Sequence, residues 1–211
     1  MTLTAFVSLV GCNVPSDNPP VVIKPEVDTI YYTSKDWRLV IPKSFTPISN
    51  TCVEGKGIIV YERFADNVLP DSTFEDCDNL ASIKLSEYIT SIGRKAFYGC
   101  GGLVKVNLPP YLESIEWYAF DGCYSLNSIV IPSCVERIGE YAFHYAGLVS
   151  IYCEAPIPPV LSRGAFYLGH DVNVYVPRNS LVAYKGAEDW KAKTSGGFNT
   201  AHNATLIGYD F

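Results

Sequence analysis

The chain has 211 residues, 48% of them hydrophobic and only 18% charged, a composition that folds and lies far from the disordered range. A formal net charge of -6 and the lack of any Lys/Arg cluster long enough to track phosphates argue against nucleic acid as a partner. A single domain is the economical reading of this length.

In chain order, residues 2–10 are apolar apart from small hydroxyl side chains and lead into Leu9-Val10-Gly11-Cys12. That string resembles a bacterial lipobox, in which the cysteine is lipidated once the signal peptide is removed. The resemblance implies a lipid anchor at Cys12 and export to the outer membrane, with the protein facing the cell exterior. The first basic residue is Lys24, so the segment departs from the pattern in lacking a basic leader, and a start further upstream is open; a buried hydrophobic strand is the alternative. No run of the chain reaches the roughly 20 apolar residues of a membrane-spanning helix. Residues 13–25 hold Pro15, Pro19, Pro20 and Pro25, so residues 1–25 read as a signal remnant with an extended tether. Residues 26–50, with Tyr31, Tyr32 and Trp37, read as an N-terminal cap. Asp28-Thr29-Ile30 and Asp71-Ser72-Thr73 resemble Asp-Ser/Thr-apolar sites of O-glycosylation, and the first, beside the tether, is the better candidate.

From residue 51 to residue 177 the chain repeats. Phe74, Phe97, Phe120, Phe143 and Phe166 recur every 23 residues, and Ala96, Ala119, Ala142 and Ala165 precede the last four. A fixed period of this length signals a solenoid, whose units bury their apolar sides only by stacking. Leu80, Leu103, Leu126 and Leu148 open a stretch continued by Ile83, Val106, Ile129 and Ile151, whose alternation predicts a short strand. Pairs such as Ile89 and Ile92, or Leu112 and Ile115, predict a return segment. Around each phenylalanine the spacing of Ala96, Phe97 and Cys100 predicts a turn or two of helix, ended by Gly101-Gly102. One period back from Ile83 is Val60, and one period on from Ile151 is Val174, so six strands are expected in one register. At a spacing of about 4.8 Å per strand the stack is about 25 to 30 Å long.

These repeats resemble the BspA-like class of bacterial leucine-rich repeats, whose pattern Ile131-Pro132-Ser133-Cys134-Val135-Glu136-Arg137-Ile138-Gly139-Glu140-Tyr141-Ala142-Phe143 follows closely. The flanks Ile30-Tyr31-Tyr32-Thr33 and Val174-Tyr175-Val176-Pro177 also resemble the ends of such domains. Glu116 in place of glycine, Ser86 in place of proline, and Ala146 and Gly169 in place of cysteine depart from the pattern. The resemblance implies an α/β repeat solenoid: a right-handed leucine-rich-repeat-like coil with one stacked sheet, short helices, and N- and C-terminal caps. It also implies adhesion to host matrix proteins or to other cells.

Residues 178–211 close the array. Leu181, Tyr184 and Trp190 mark a capping helix, and Thr205-Leu206-Ile207-Gly208-Tyr209 a closing strand, as a solenoid end requires. Cys77, Cys100 and Cys123 share one phase and read as buried small hydrophobes, since parallel side-chain vectors disfavour bridging. Cys52, Cys134 and Cys153 fall on other phases, and a bridge between Cys134 and Cys153 on adjacent coils is open in an oxidising compartment. No C-x-x-C spacing, H-E-x-x-H or G-x-S-x-G occurs, so neither a metal nor a cofactor is expected, and the protein reads as a non-enzyme. His144 reads as a solvent-facing helix residue.

The positions left free by the repeat are the outward side chains of the strands. One column comprises Ser82, Lys105, Ser128, Ser150 and Asn173, and the other Lys84, Asn107, Val130, Tyr152 and Tyr175. The second turns aromatic towards its C-terminal end, a composition favoured at interface centres. Tyr152 and Tyr175 could stack on a sugar ring or cap an apolar partner; ordinary cross-strand packing is the other reading. The expected role is a cell-surface protein that binds an extracellular protein or glycan through Lys84, Lys105, Asn107, Val130, Tyr152, Asn173 and Tyr175. The alternative is a non-catalytic spacer or accessory subunit of an envelope complex.

Overall fold

A computed structural model of the protein describes the backbone of residues 29–33, 37–42, 46–47, 53–54 and 59–63, and backbone and side chains of residues 67–190 and 204–211. Cys12, Cys52, Asp28 and the tether lie outside the described residues. At the N-terminal side are β1 (Thr29–Thr33), β2 (Trp37–Pro42), β3 (Thr46–Pro47), β4 (Val53–Glu54) and β5 (Ile59–Arg63). The coils follow with β6 (Val68–Leu69), β7 (Ser82–Leu85), β8 (Ser91–Ile92), β9 (Lys105–Asn107), β10 (Ser114–Ile115) and β11 (Ser128–Ile131). They continue with β12 (Arg137–Ile138), β13 (Ser150–Cys153), β14 (Val160–Leu161) and β15 (Val172–Pro177), and β16 (Ala204–Tyr209) ends the chain's secondary structure.

Each coil must bring its chain back to the same phase, and it does so with two parallel ladders and a turn side. The longer strands line one side of the coil in two hydrogen-bonded sheets, together called the first ladder: β5, β7 and β9 pair in parallel, as do β11, β13 and β15, with β9 and β11 side by side but not paired. Ile83 pairs with Val106, Ile129 with Ile151, and Ile151 with Val174, and all of these side chains are buried. The step from Ile129 to Ile151 falls short of the period by a single position, because the turn before β13 is tightened. At the first junction Ile59, not Val60, faces Ile83, a step longer than the period by a single position, so Val60 sits beside Lys84.

A second ladder replaces the predicted return segment. The order β14-β12-β10-β8-β6 places Leu69, Ile92, Ile115, Ile138 and Leu161 in one buried row. The sequence pattern did not announce these strands because each is two residues long, too short for alternation to register.

Around each phenylalanine the chain forms consecutive turns, where a helical turn is expected from sequence. Ser72, Lys95, Tyr118 and Tyr141 take φ between 53° and 55°, and Gly164 takes 62° at the same phase. A left-handed residue breaks helical geometry at a cost of about 1–2 kcal/mol for a residue with a Cβ. The compensation is visible in the hydrogen bonds. The Phe97 N–H donates to the Ala119 carbonyl (2.8 Å) and Phe120 to Ala142 (2.7 Å), while Cys100 closes a local turn on Phe97 (3.2 Å). Alternate amides thus bond along the coil axis, leaving no continuous i to i−4 series for a helix.

This repeat stacks the phenylalanine rings face to face. Centroids of Phe74, Phe97, Phe120, Phe143 and Phe166 are 5.0 to 5.2 Å apart, with interplanar angles of 1° to 11°. All five rings are buried, and with the two apolar ladders they fill the coil. Stacked aromatic pairs contribute beyond their area burial, by about 0.5–1.5 kcal/mol each.

The ends are closed differently. β1 pairs antiparallel with β2 and β2 antiparallel with β5, so the N-terminal strands extend the first ladder. β3 and β4 pair antiparallel with each other. At the C-terminal side the capping helix α1 spans Leu181–Gly186, flanked by 3-10 turns at Arg178–Ser180 and Glu188–Trp190. Tyr184 and Trp190 are buried, and each satisfies its polar atom: Tyr184 Oη donates to the Ala155 carbonyl and Trp190 Nε1 to the Pro159 carbonyl, both at 2.7 Å. β16 pairs in parallel with the full length of β15.

The cysteines separate into two groups. Cys100, Cys123 and Cys153 are free, buried thiols, whereas Cys77 and Cys134 are disulfide-bonded. Cys134 therefore does not bridge to Cys153, and Cys77 is no mere packing residue. The physical reason is that Cys153 occupies an inward position of β13, where its Sγ lies 3.2 Å from Tyr184 Oη. Cys100 and Cys123 donate to the carbonyls of Phe74 (3.0 Å) and Phe97 (3.3 Å), one coil back.

Two outcomes follow for stability. Phe120 is stacked on both sides, so Phe120→Ala should cost about 3–5 kcal/mol, read as a lowered urea midpoint. Burial pushes the Cys100 thiol from 9.0 up to about 12 and the Cys153 thiol up to about 11. These raised values leave stability whole below about pH 9, the unfolded thiol value, and remove it as pH climbs towards 12, because only the unfolded chain ionises in that window. Denaturation midpoints recorded from pH 8 upwards should therefore decline, and Ellman's reagent should label Cys100, Cys123 and Cys153 in urea but not in the native protein.

Candidate functional site

Strand alternation that buries Ile83, Val106, Ile129, Ile151 and Val174 turns their neighbours outward, and the parallel register then aligns those neighbours in rows. Ser82 pairs with Lys105 and Lys84 with Asn107, while Ser128, Ser150 and Asn173 form one row and Val130, Tyr152 and Tyr175 the other. The predicted candidates Lys84, Lys105, Asn107, Val130, Tyr152, Asn173 and Tyr175 thus share one face. Lys84, Lys105, Asn107 and Asn173 are exposed and Val130 is 48% exposed; Tyr152 and Tyr175 are half-buried.

The half-burial of the tyrosines has a geometric cause. Equal phases on adjacent strands bring their rings to a centroid separation of 4.6 Å and an interplanar angle of 9°. Each covers one face of the other, so those two inner faces are closed to a sugar, while the outer face of each ring, the edges and the hydroxyl ends are not closed by the stack.

β16 adds to this surface. Thr205 pairs with Asn173 and Ile207 with Tyr175, extending both rows by one strand. Tyr209 lies edge-on to Tyr175 at 5.8 Å and to Tyr152 at 6.1 Å, and Phe211 lies edge-on to Tyr209 at 5.2 Å. Tyr209 and Phe211 are 44% and 55% exposed, more open than the stacked pair. The sequence marks residues 205–209 as a closing strand without placing Tyr209 in the site. Its neighbours come from β13 and β15, well before it in the chain, and only the register of β16 on β15 brings them together. Beside this cluster Arg178 holds Asp210 through three hydrogen bonds, Nε to Oδ1 at 3.0 Å and to Oδ2 at 3.1 Å, and Nη2 to Oδ2 at 3.0 Å. The bonds to the guanidinium lower the Asp210 carboxyl from its ordinary value.

Elsewhere, His144 is half-buried on the turn side, contrary to its expected solvent-facing helical position. Its Nδ1 lies 2.9 Å from Asp121 Oδ1, one coil back, and its ring contacts Tyr141, Tyr145 and Tyr167. Burial raises the Asp121 carboxyl above its ordinary value, against the opposing effect of His144. This pair links adjacent turns and takes no part in the strand face. Among the described residues no group of three His, Cys, Asp or Glu side chains is placed to hold a metal ion, and no helix is long and apolar enough to cross a membrane.

A family model described as BspA type Leucine rich repeat region matches residues 67–176 in six copies. No curated protein matches the chain. Among solved structures, the pneumococcal vaccine antigen PcpA superposes with a TM-score of 0.53 at 18% identity, over 79% of this chain and 48% of the antigen. A leucine-rich repeat protein of T. pallidum gives a TM-score of 0.49 at 21% identity, over 72% of this chain and 78% of that one. A leucine-rich repeat protein from Bacteroides capillosus gives 0.42 at 21% identity, over 59% of this chain and 98% of its own length. At these identities the likeness to PcpA speaks for the fold alone.

Because the Arg178–Asp210 pair is solvent-exposed, its effect should be local. Arg178→Ala should speed amide hydrogen exchange in β16 while leaving the urea midpoint of the whole protein unchanged.

Proposed function

The chain belongs to the BspA-type leucine-rich repeat family, and on that premise we propose that it is a non-catalytic cell-surface protein that binds an extracellular protein or glycan through its outward strand face. In this reading Cys12 carries the lipid that tethers the protein to the outer membrane, and binding serves adhesion to a host or to other cells. One observation carries it: the stacked Tyr152–Tyr175 pair, joined by Tyr209 and flanked by Val130 and Ile207, stands on a face whose remaining outward side chains are polar. Tyrosine clusters ringed by polar residues are the composition of interface centres that open and close reversibly. A permanent spacer would favour a broader apolar contact, as obligate interfaces do, and Lys84, Lys105, Asn107 and Asn173 weigh against that alternative.

The test is an array of matrix proteins and glycans probed with the full chain and with the double variant Tyr152→Ala/Tyr175→Ala. Binding that weakens at least about ten-fold in the variant is expected, since losing one anchor residue costs roughly 2 kcal/mol or more. Binding of undiminished strength in the variant would remove the strand face as the site.

A further inference from the structure

The two ends of the outward face differ in chemistry. At the N-terminal side, in β7 and β9, the outward residues are Ser82, Lys84, Lys105 and Asn107; at the C-terminal side, in β13, β15 and β16, they include Tyr152, Tyr175, Ile207 and Tyr209. Among the described residues the two rows hold two cations and no carboxylate, on a chain whose formal net charge is -6. Neither lysine of this face makes an ion pair among the described residues. Glu87 and Glu154 lie beyond the strand ends, and Asp210 is held by Arg178. A local cationic patch on an acidic protein selects for negative charge in whatever docks there.

Geometry narrows the class of partner. Stacking closes the inner faces of Tyr152 and Tyr175 to a pyranose ring, and Tyr209 edge-on to both rings with Val130 and Ile207 alongside makes a mixed apolar and hydroxyl surface that suits the side chains and peptide groups of a polypeptide. From Lys84 to Tyr175 the row crosses four strand spacings, about 19 Å, which is the reach of about six residues of extended chain.

We propose that this face receives an extended acidic polypeptide segment laid across the strands, its carboxylates at Lys84 and Lys105 and an apolar side chain against the Tyr152–Tyr175–Tyr209 cluster. The inference rests on reading the outward face as the binding surface and adds the chemistry of its occupant. Lys84 and Lys105 supply charge attraction that salt screens, and the tyrosine cluster supplies the desolvated anchor. A sulfated or other acidic glycan would answer the lysines as well, but it would make no use of the tyrosine edges.

A random dodecapeptide phage library selected on the full chain is the direct test, with an array of sulfated and neutral glycans run beside it. Enriched peptides should carry Asp or Glu about four to six residues from an aromatic or aliphatic side chain, matching the reach above. A synthetic peptide of the enriched sequence should bind Lys84→Glu/Lys105→Glu about ten-fold or more weakly at low salt, with a smaller difference at high salt. It should also lose affinity for Tyr209→Ala. Both lysines are exposed, so the charge-reversed protein should keep the circular dichroism spectrum of the parent. Peptides without acidic residues, peptides indifferent to the charge reversal, no enrichment at all, or strong binding of sulfated glycans in their place would each overturn the proposal. Peptides lost on Tyr152→Ala/Tyr175→Ala but unaffected by charge reversal would overturn it while leaving the face as the binding site. Peptides indifferent to both variants would remove the face as well.

Discussion

Amides on the turn side alternate between closing a local turn and reaching along the coil axis to the next coil, and that arrangement sets the step of the whole solenoid. Phe74, Phe97, Phe120 and Phe143 each donate to the alanine carbonyl of the following coil at 2.7 to 2.8 Å. Once those bonds hold, successive phenylalanines have no freedom of register, and their rings stack at about the spacing of the strands. Left-handed residues such as Lys95, Tyr118 and Tyr141 are the local cost of this geometry, and they recur because the bonds they permit recur. The two apolar ladders then need only supply buried side chains at matching heights.

A scaffold so repetitive leaves its individuality in the residues that do not face inward. Two positions on each long strand escape the packing rules, and there the sequence drifts from Ser82, Lys84 and Lys105 to Tyr152 and Tyr175. Because parallel pairing places like phases side by side, a drift along the chain becomes a gradient across a surface. The turn side uses its freedom otherwise: Asp121 with His144, and Lys95 with Glu75, join neighbouring coils. Those contacts support stacking, and the Lys95 ammonium among them is engaged. Among the described residues the lysines of the strand face are not engaged in that way, which is why recognition is sought there.

Much of the fold was legible because burial repeats with a single period. The phases of Phe97, Leu103, Val106 and Ile115 could be read as inward from spacing alone, and each is buried. The outward rows followed from alternation. What escaped the reading shares a cause: each feature depends on a short segment or on bonds between coils. The two-residue strands β8 and β10 leave no periodic trace, and the turn geometry is decided by amides that bond to a carbonyl on the next coil. Cys134 and Cys153 sit on adjacent coils, yet one enters a disulfide and the other meets Tyr184, a choice of direction that spacing does not carry.

The sequence by itself determined the coil: its period, its inward residues, and the two rows it presents to the outside. Periodicity is a statement about which side chains must be removed from water, and that demand is written residue by residue. The tertiary structure alone decided how the outward residues meet. Pairing of β16 with β15 carries Tyr209 onto Tyr175 and Tyr152, and ring stacking covers one face of each tyrosine that would be open in isolation. Those are relations between strands distant in the chain, and only their packed register can state them.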